Sequence, residues 1–254
     1  MSTGKMSTDR TLNASSRIKP PRRVVPLPDR AYHHIRRKLF SGDFEPGRGL
    51  SVRTLAGELG MSTMPVREAI YRLRTENLIE QRHGSGTYPR TITRADLVNM
   101  LELRELIEGN AVRRVVERVT PDGLDKLRRP CHGMRLLLER AREDEWDQWS
   151  DELTDQVLQL DEPFHRELLH IAGNPMAARI VEDLRLMTRL IQVWEDPVLD
   201  VAEEMDRIYR NHVVIVDAVA RHDADAAQAA MVGHVRSTGG QLLSLFDRKG
   251  NRSS

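Results

Sequence analysis

The run Leu55-Ala-Gly-Glu-Leu-Gly-Met-Ser-Thr-Met-Pro-Val-Arg-Glu-Ala-Ile70 decides how the front of this 254-residue chain folds. Leu55 and Leu59 mark one face of a short helix opening near Val52, and Gly60 ends it. A second helix opens at Ser62, tolerates Pro65 in its first turn, and repeats Val66, Ile70 and Leu73 at i, i+4 and i+7. Upstream, Tyr32, Ile35 and Leu39 share a face of a helix from Arg30, closed by Gly42 and Pro46-Gly47. Downstream, Ile79–Arg82 and Thr87–Arg90 flank His83-Gly84-Ser85-Gly86, the pattern of a hairpin with a flexible tip. Three helices and a hairpin predict a winged helix-turn-helix.

The second helix of such a motif presents its N-terminal residues to base edges in the major groove. With Val66, Ile70 and Leu73 turned to the core, Thr63, Arg67, Tyr71 and Arg74 face outward or sideways. A guanidinium at Arg67 suits guanine or phosphate, and Ser62 and Thr63 bring hydroxyls to a helix start, where phosphates sit well. Each of these side chains also has an ordinary reading as a solvated surface residue. The charge distribution points the same way as the motif. Up to Arg90 there are 17 Lys/Arg against 8 Asp/Glu, and afterwards 22 against 30. A basic front on an acidic back is the footprint of one module that neutralises phosphates and another that does not.

Together with Phe44-Glu-Pro-Gly before it and Asn77-Leu-Ile-Glu after it, the opening run resembles the GntR superfamily of bacterial regulators from about Asp29 to Arg90. The resemblance implies DNA contacts at Arg53, Ser62, Thr63, Met64, Arg67, His83, Gly84 and Gly86. It also implies a homodimer on a palindromic double-stranded operator. The family usually has Arg where this chain has Thr63, so one guanine reader is missing.

The remainder is predicted to be all α, an antiparallel helical bundle with helices near 94–118, 121–143, 146–172, 175–195, 197–221 and 223–247. Within it, polar residues of ligand type sit on otherwise apolar stripes, where burial is costly unless something satisfies them. Asp161 and His165 lie at i and i+4 between Val157 and Leu168. His212 lies between Ile208 and Ile215, and His234 between Met231 and Leu242. One carboxylate and three imidazoles suit a borderline divalent ion: zinc first, with nickel, manganese or iron as alternatives. His33, His34, His83, His132, His170 and His222 have no partners on a shared face. Arg104 and Glu108 also point inward, on the stripe of Leu97, Leu101, Ala111 and Val115. Such an Arg either receives an organic acid through its planar fork or pairs only with Glu108.

The Asp161-Glu-Pro-Phe-His165 run, Asn174, Asn211-His212 and His234 look like the FCD (FadR-type) ligand domain that accompanies one GntR subfamily, over about Thr93 to Phe246. The resemblance implies that Asp161, His165, His212 and His234 hold the metal and that a small carboxylate effector completes its coordination, with repression relieved by that effector. Asn174 is read both as a helix cap and as a pocket residue. Pro163, between two proposed ligands, predicts a kink or a helix start.

The expected organisation is a flexible basic arm over 1–27, a DNA-binding domain over 28–91, an effector and dimerisation domain over 92–248, and a tail over 249–254. The arm's Arg17, Lys19, Arg22 and Arg23 read equally as a DNA-touching cluster or a solubilising tail. The single cysteine, Cys131, excludes an intramolecular disulfide and a thiolate-rich metal site. No membrane span or signal peptide is legible, and a cytoplasmic location is expected. Two rival functions remain at this stage: a metal-dependent enzyme acting on a small organic acid, and a helical dimerisation domain without a ligand.

Overall fold

The computed structural model describes residues 25–44, 47–82, 84, 86–190 and 200–252. The arm with its basic cluster therefore lies outside the described residues, apart from its last three positions. Helices α1 (Leu27–Phe40), α2 (Val52–Leu59) and α3 (Thr63–Thr75) precede an antiparallel pair, β1 (Ile79–Arg82) and β2 (Gly86–Pro89). Ile79 stands opposite Pro89, and Arg82 opposite Gly86. Then follow α4 (Arg94–Arg118), α5 (Pro121–Glu143), α6 (Asp151–Ala172), α7 (Pro175–Thr188), α8 (Val201–Ala220) and α9 (Ala224–Arg252).

The helix boundaries are set by capping side chains. Ser51, Thr120, Ser150, Asn174 and Asp200 each accept a backbone N–H from three residues on, and Thr93 with Asp96 forms a reciprocal capping box. Ser150 explains why α6 begins at Asp151 rather than near 146. Pro163 does not start the helix. It lies exposed inside α6, so only one backbone bond is lost while the apolar face stays packed. Helix α9 runs on to Arg252, past the tail boundary expected at 249.

Two cores form. Ala31, Tyr32, Ile35, Leu39, Leu55, Val66, Ala69, Leu73 and Leu78 bury the winged-helix domain, with Ile70 only partly buried and Ala69 in its place. Around Leu97, Val112, Leu127, Phe164, Leu168, Ile215 and Met231 the helical domain closes. In it α4 runs antiparallel to α9: Arg94 meets Asp247, Glu105 meets Arg236, and Arg113 meets Asp225. Glycine permits this close approach, since a Cβ on Gly239 would stand 2.8 Å from Leu101 and one on Gly109 3.1 Å from Val232. Leu190, two residues past the end of α7, packs on the cores of both domains, and Leu186 of α7 packs on the winged helix. No described helix is long and apolar enough to cross a membrane.

Candidate metal and effector site

Helix α6 carries Asp161 and His165 one turn apart, α8 carries His212, and α9, antiparallel beside α8, carries His234 at the same level. One donor atom from each of the four lies within 4.8 Å of all the others. His165 Nε2 is 3.1 Å from His234 Nε2, His212 Nε2 is 3.1 Å from Asp161 Oδ1, and His165 Nε2 is 3.6 Å from the same oxygen. Bonds of about 2.0–2.1 Å to one ion would set neighbouring donors about 3–3.4 Å apart, so the spacing fits a single divalent centre.

The far side of two rings is already fixed. Glu108 Oε2 takes the Nδ1 of His165 at 2.7 Å, and the Ile208 carbonyl takes that of His212 at 2.8 Å. Each ring is thereby turned with Nε2 inward, the orienting role that carboxylates and carbonyls play behind metal-binding histidines. His234 Nδ1 is buried without a hydrogen-bond partner among the described residues. Burial and the adjoining His212 and His165 rings hold the His234 imidazole well below its ordinary pKa, so it is neutral and offers a lone pair. At Asp161, burial would raise the carboxyl, yet Arg185 and the hydrogen bonds of His165 and His212 outweigh it and keep the group ionised. Three imidazoles with one carboxylate are the donor chemistry a zinc-like ion takes.

Arg104 and Glu108 are both brought here. Arg104 Nε bonds Glu108 Oε1 at 2.7 Å, with the arginine 2% exposed and the glutamate fully buried. Burial would raise the Glu108 carboxyl, but the Arg104 guanidinium and the His165 ring hold it well below the carboxylate range. The pair does not exhaust the arginine: Arg104 Nη2 is buried with no hydrogen-bond partner among the described residues. It lines a small cavity of about 50 Å3 with Arg185, Thr188, Arg189, Asp161 and His234. A second cavity of about 80 Å3 adjoins the same Asp161 and His234 from the side of Trp149, Val157 and Ile208.

Asn174 is the exception. It stands exposed at the start of α7, its amide oxygen accepting from Ala177 N at 3.1 Å, and it lines neither cavity. Of its two readings the cap is the one realised. Arg185 and Arg189 were not anticipated. Arg185 closes on Asp161 and Arg189 on Glu162. The signal existed, because Arg185 follows buried Val181 by four residues, and an arginine on an apolar stripe is as informative as a histidine there.

In the winged-helix domain, Arg53, Ser62, Thr63, Met64 and Arg67 are all exposed, Met64 at 64%. They come from the start of α2 and the start of α3. Ser62 precedes α3 with extended backbone but spends its hydroxyl on no cap. Neither Arg53 nor Arg67 has a carboxylate partner among the described residues. Arg74 Nη1 ties α3 to β1 by bonding Gln81 Oε1 at 2.8 Å. Gly84 (φ +71°) and Gly86 (φ +115°) take backbone conformations at the wing tip that other residues rarely adopt, while His83 lies outside the described residues.

Residues 99–237 match the FCD domain family, and residues 27–88 match the family described as bacterial regulatory proteins, gntR family. The chain is 26% identical over 211 residues to the HTH-type transcriptional repressor RspR of Escherichia coli (strain K12), covering 83% of this chain and 86% of that one. It is 26% identical over 203 residues to the Nta operon transcriptional regulator of Aminobacter aminovorans, covering 80% and 88%. Among solved structures, E. coli McbR/YncC has the same fold, with a TM-score of 0.69 at 21% identity over 88% of this chain and 100% of that one.

Proposed function

Because the chain belongs to the gntR family of bacterial regulatory proteins and carries the FCD domain, it is a DNA-binding transcription regulator, and we propose that a metal-assisted acid sensor in its helical domain controls operator binding. In this reading Asp161, His165, His212 and His234 hold one divalent ion, zinc first, with Glu108 orienting His165 from behind. Such an ion, when bound, supplies a Lewis-acid position for a carboxylate oxygen. Arg104 receives the other side of that carboxylate through its free Nη2. The single observation that carries the reading is the convergence of four buried ligand atoms beside a buried, unpartnered guanidinium nitrogen.

The DNA-reading residues are Arg53, Ser62, Thr63, Met64 and Arg67, with Gly84 and Gly86 letting the wing approach the backbone. Thr63 leaves Arg67 as the lead candidate for guanine in the major groove. A homodimer places two such helices on a palindrome. Support for the dimer comes from α4, which leaves Leu103 and Leu106 exposed at 45% and 63%. Repression relieved by the acid is the proposed mode.

Coupling runs through α7. Asp161 and Glu162 are neighbours on α6, one facing the metal site and the other facing the DNA-binding domain. Their partners are Arg185 of α7 and, one turn on, Arg189 at the C-cap of that helix, and Glu162 also reaches Arg36 of α1 at 3.8 Å. Both α7 arginines line the effector-side cavity and also a cavity of about 330 Å3 between the domains. An acid that competes for these guanidiniums changes the contacts made to α1, which gives the two domain arrangements different affinities for the effector.

The deciding experiment is operator gel shift with protein of measured metal content, with and without small carboxylates. Metal at one ion per chain and acid-dependent release support the proposal. Metal-free protein that still answers acids with full affinity overturns it.

A further inference from the structure

We propose that the effector is a short monocarboxylate with an uncharged, mainly apolar tail, and neither a dicarboxylate nor a sugar acid; this rests on the sensor reading above. The two cavities at the centre share Leu158, Asp161, His234 and Thr238, so a molecule seated there spans both. They differ in chemistry. The smaller is the head chamber, where Arg104, Arg185 and Arg189 converge and Arg104 Nη2 has no partner.

The larger is a tail chamber walled by Trp149, Val157, Leu158 and Ile208. Its charged residues cancel one another. Arg207 grips Glu204 with two bonds of 2.9 and 2.6 Å, donates to Ser237 at 2.6 Å and to Gln241 at 2.5 Å, and Gln241 donates to Glu204 at 2.8 Å. A second carboxylate entering this chamber would lose its hydration and meet no unpaired cation among the described residues, which is a costly burial. Hydroxyl groups fare little better. Thr154 Oγ1 already accepts from the Trp149 indole at 2.7 Å and Asn211 donates to Ser237 at 3.3 Å, which leaves the Thr238 hydroxyl and the Asn211 amide oxygen as partners, too few for a polyhydroxylated tail.

Volume sets the length. The tail chamber measures about 80 Å3. An apolar cavity of about 150 Å3 holds benzene, so this one takes about three or four carbon atoms beyond the carboxylate. Butyrate and isovalerate fit that description, acetate underfills it, and octanoate exceeds it.

The test is calorimetric titration of the full-length, zinc-loaded chain with acetate, butyrate, isovalerate, octanoate, succinate and gluconate. Butyrate or isovalerate should bind tightest, with succinate and gluconate weaker by about tenfold or more, the discrimination expected when a buried group is left unpaired. Val157→Phe, which narrows only the tail chamber, should keep acetate binding and lose isovalerate by about tenfold or more. Tightest binding of succinate or gluconate, or a Val157→Phe protein that binds isovalerate as well as before, overturns the proposed class while leaving a sensor in place. If the zinc-loaded chain binds none of the acids, the sensor reading itself falls, and the effector class falls with it.

Discussion

Glu108 of α4 and His165 of α6 are joined by a 2.7 Å bond between Oε2 and Nδ1, with both side chains shut away from solvent. The carboxylate serves two masters, because its other oxygen holds Arg104 Nε. Replacing it with an amide keeps the shape but removes the charge that orients one ring and neutralises one guanidinium. Glu108→Gln should therefore bind zinc about 10–100-fold more weakly, the usual effect of losing a group behind a metal ligand. Glu108→Ala should do the same and also cost about 3–5 kcal/mol of stability, because a buried guanidinium is left uncompensated. Chelator competition and urea unfolding measure the two effects. Unchanged zinc affinity in the glutamine variant would show that His165 needs no orientation from behind.

Glu162 sits next to Asp161 in sequence but answers to the other domain, through Arg189 and Arg36. Glu162→Gln should leave operator affinity in the absence of acid, and acid affinity in the absence of operator, close to wild type. What should shrink is the factor by which each ligand alters the other's affinity, ordinarily about 5–150-fold in coupled systems. That loss must be reciprocal. Titrating acid against free and operator-bound protein checks it, and an undiminished factor in the variant would remove α7 from the coupling route.

Most of this architecture was legible in the chain, and the reasons differ by feature. The winged helix was readable because Gly60, Pro65 and the spacing of Val66 and Leu73 are local signals. The convergence of Asp161, His165, His212 and His234 was readable because a histidine on an apolar stripe must be satisfied wherever that stripe packs. Pro163 is not a helix start: its effect depends on whether the missing N–H faces the core, and only packing reveals that it lies on the exposed side of α6. Asn174 had two compatible roles in one dimension, and the cap took its oxygen. Arg185 and Arg189 were not read as site residues because helix periodicity gives a face but not the neighbour that the face meets. Their partners lie more than twenty residues away on α6.

Cys131 gives a prediction about accessibility. It is 5% exposed on α5, and burial pushes its thiol up to about 12. A raised thiol pKa means the protonated, unreactive form prevails at all pH values below it, so at pH 8 the native chain holds almost no thiolate. A thiolate-selective reagent at pH 8 should leave the folded protein unlabelled for as long as it stays folded. In denaturant, where the pKa returns to about 8.5, one equivalent should react promptly. Rapid labelling of native protein would mean that α5 opens far more readily than its packing implies.

Arg67 gives the sharpest test of the DNA face, since it is exposed at the second turn of α3 with no carboxylate partner among the described residues. Two chemistries are open to its guanidinium, and salt separates them. As a guanine reader, Arg67→Ala should cost about 1–3 kcal/mol at one operator position and relax the preference there, with the salt slope nearly intact. A phosphate contact predicts instead a uniform loss across sequences and a slope of log affinity against log salt reduced by about 0.9. Zinc content should be unchanged in either case, because the substitution lies in the other domain. Gel-shift titrations on the operator and on its single-base variants, at several salt concentrations, distinguish the two, and full affinity with an unaltered slope would take Arg67 out of the interface altogether.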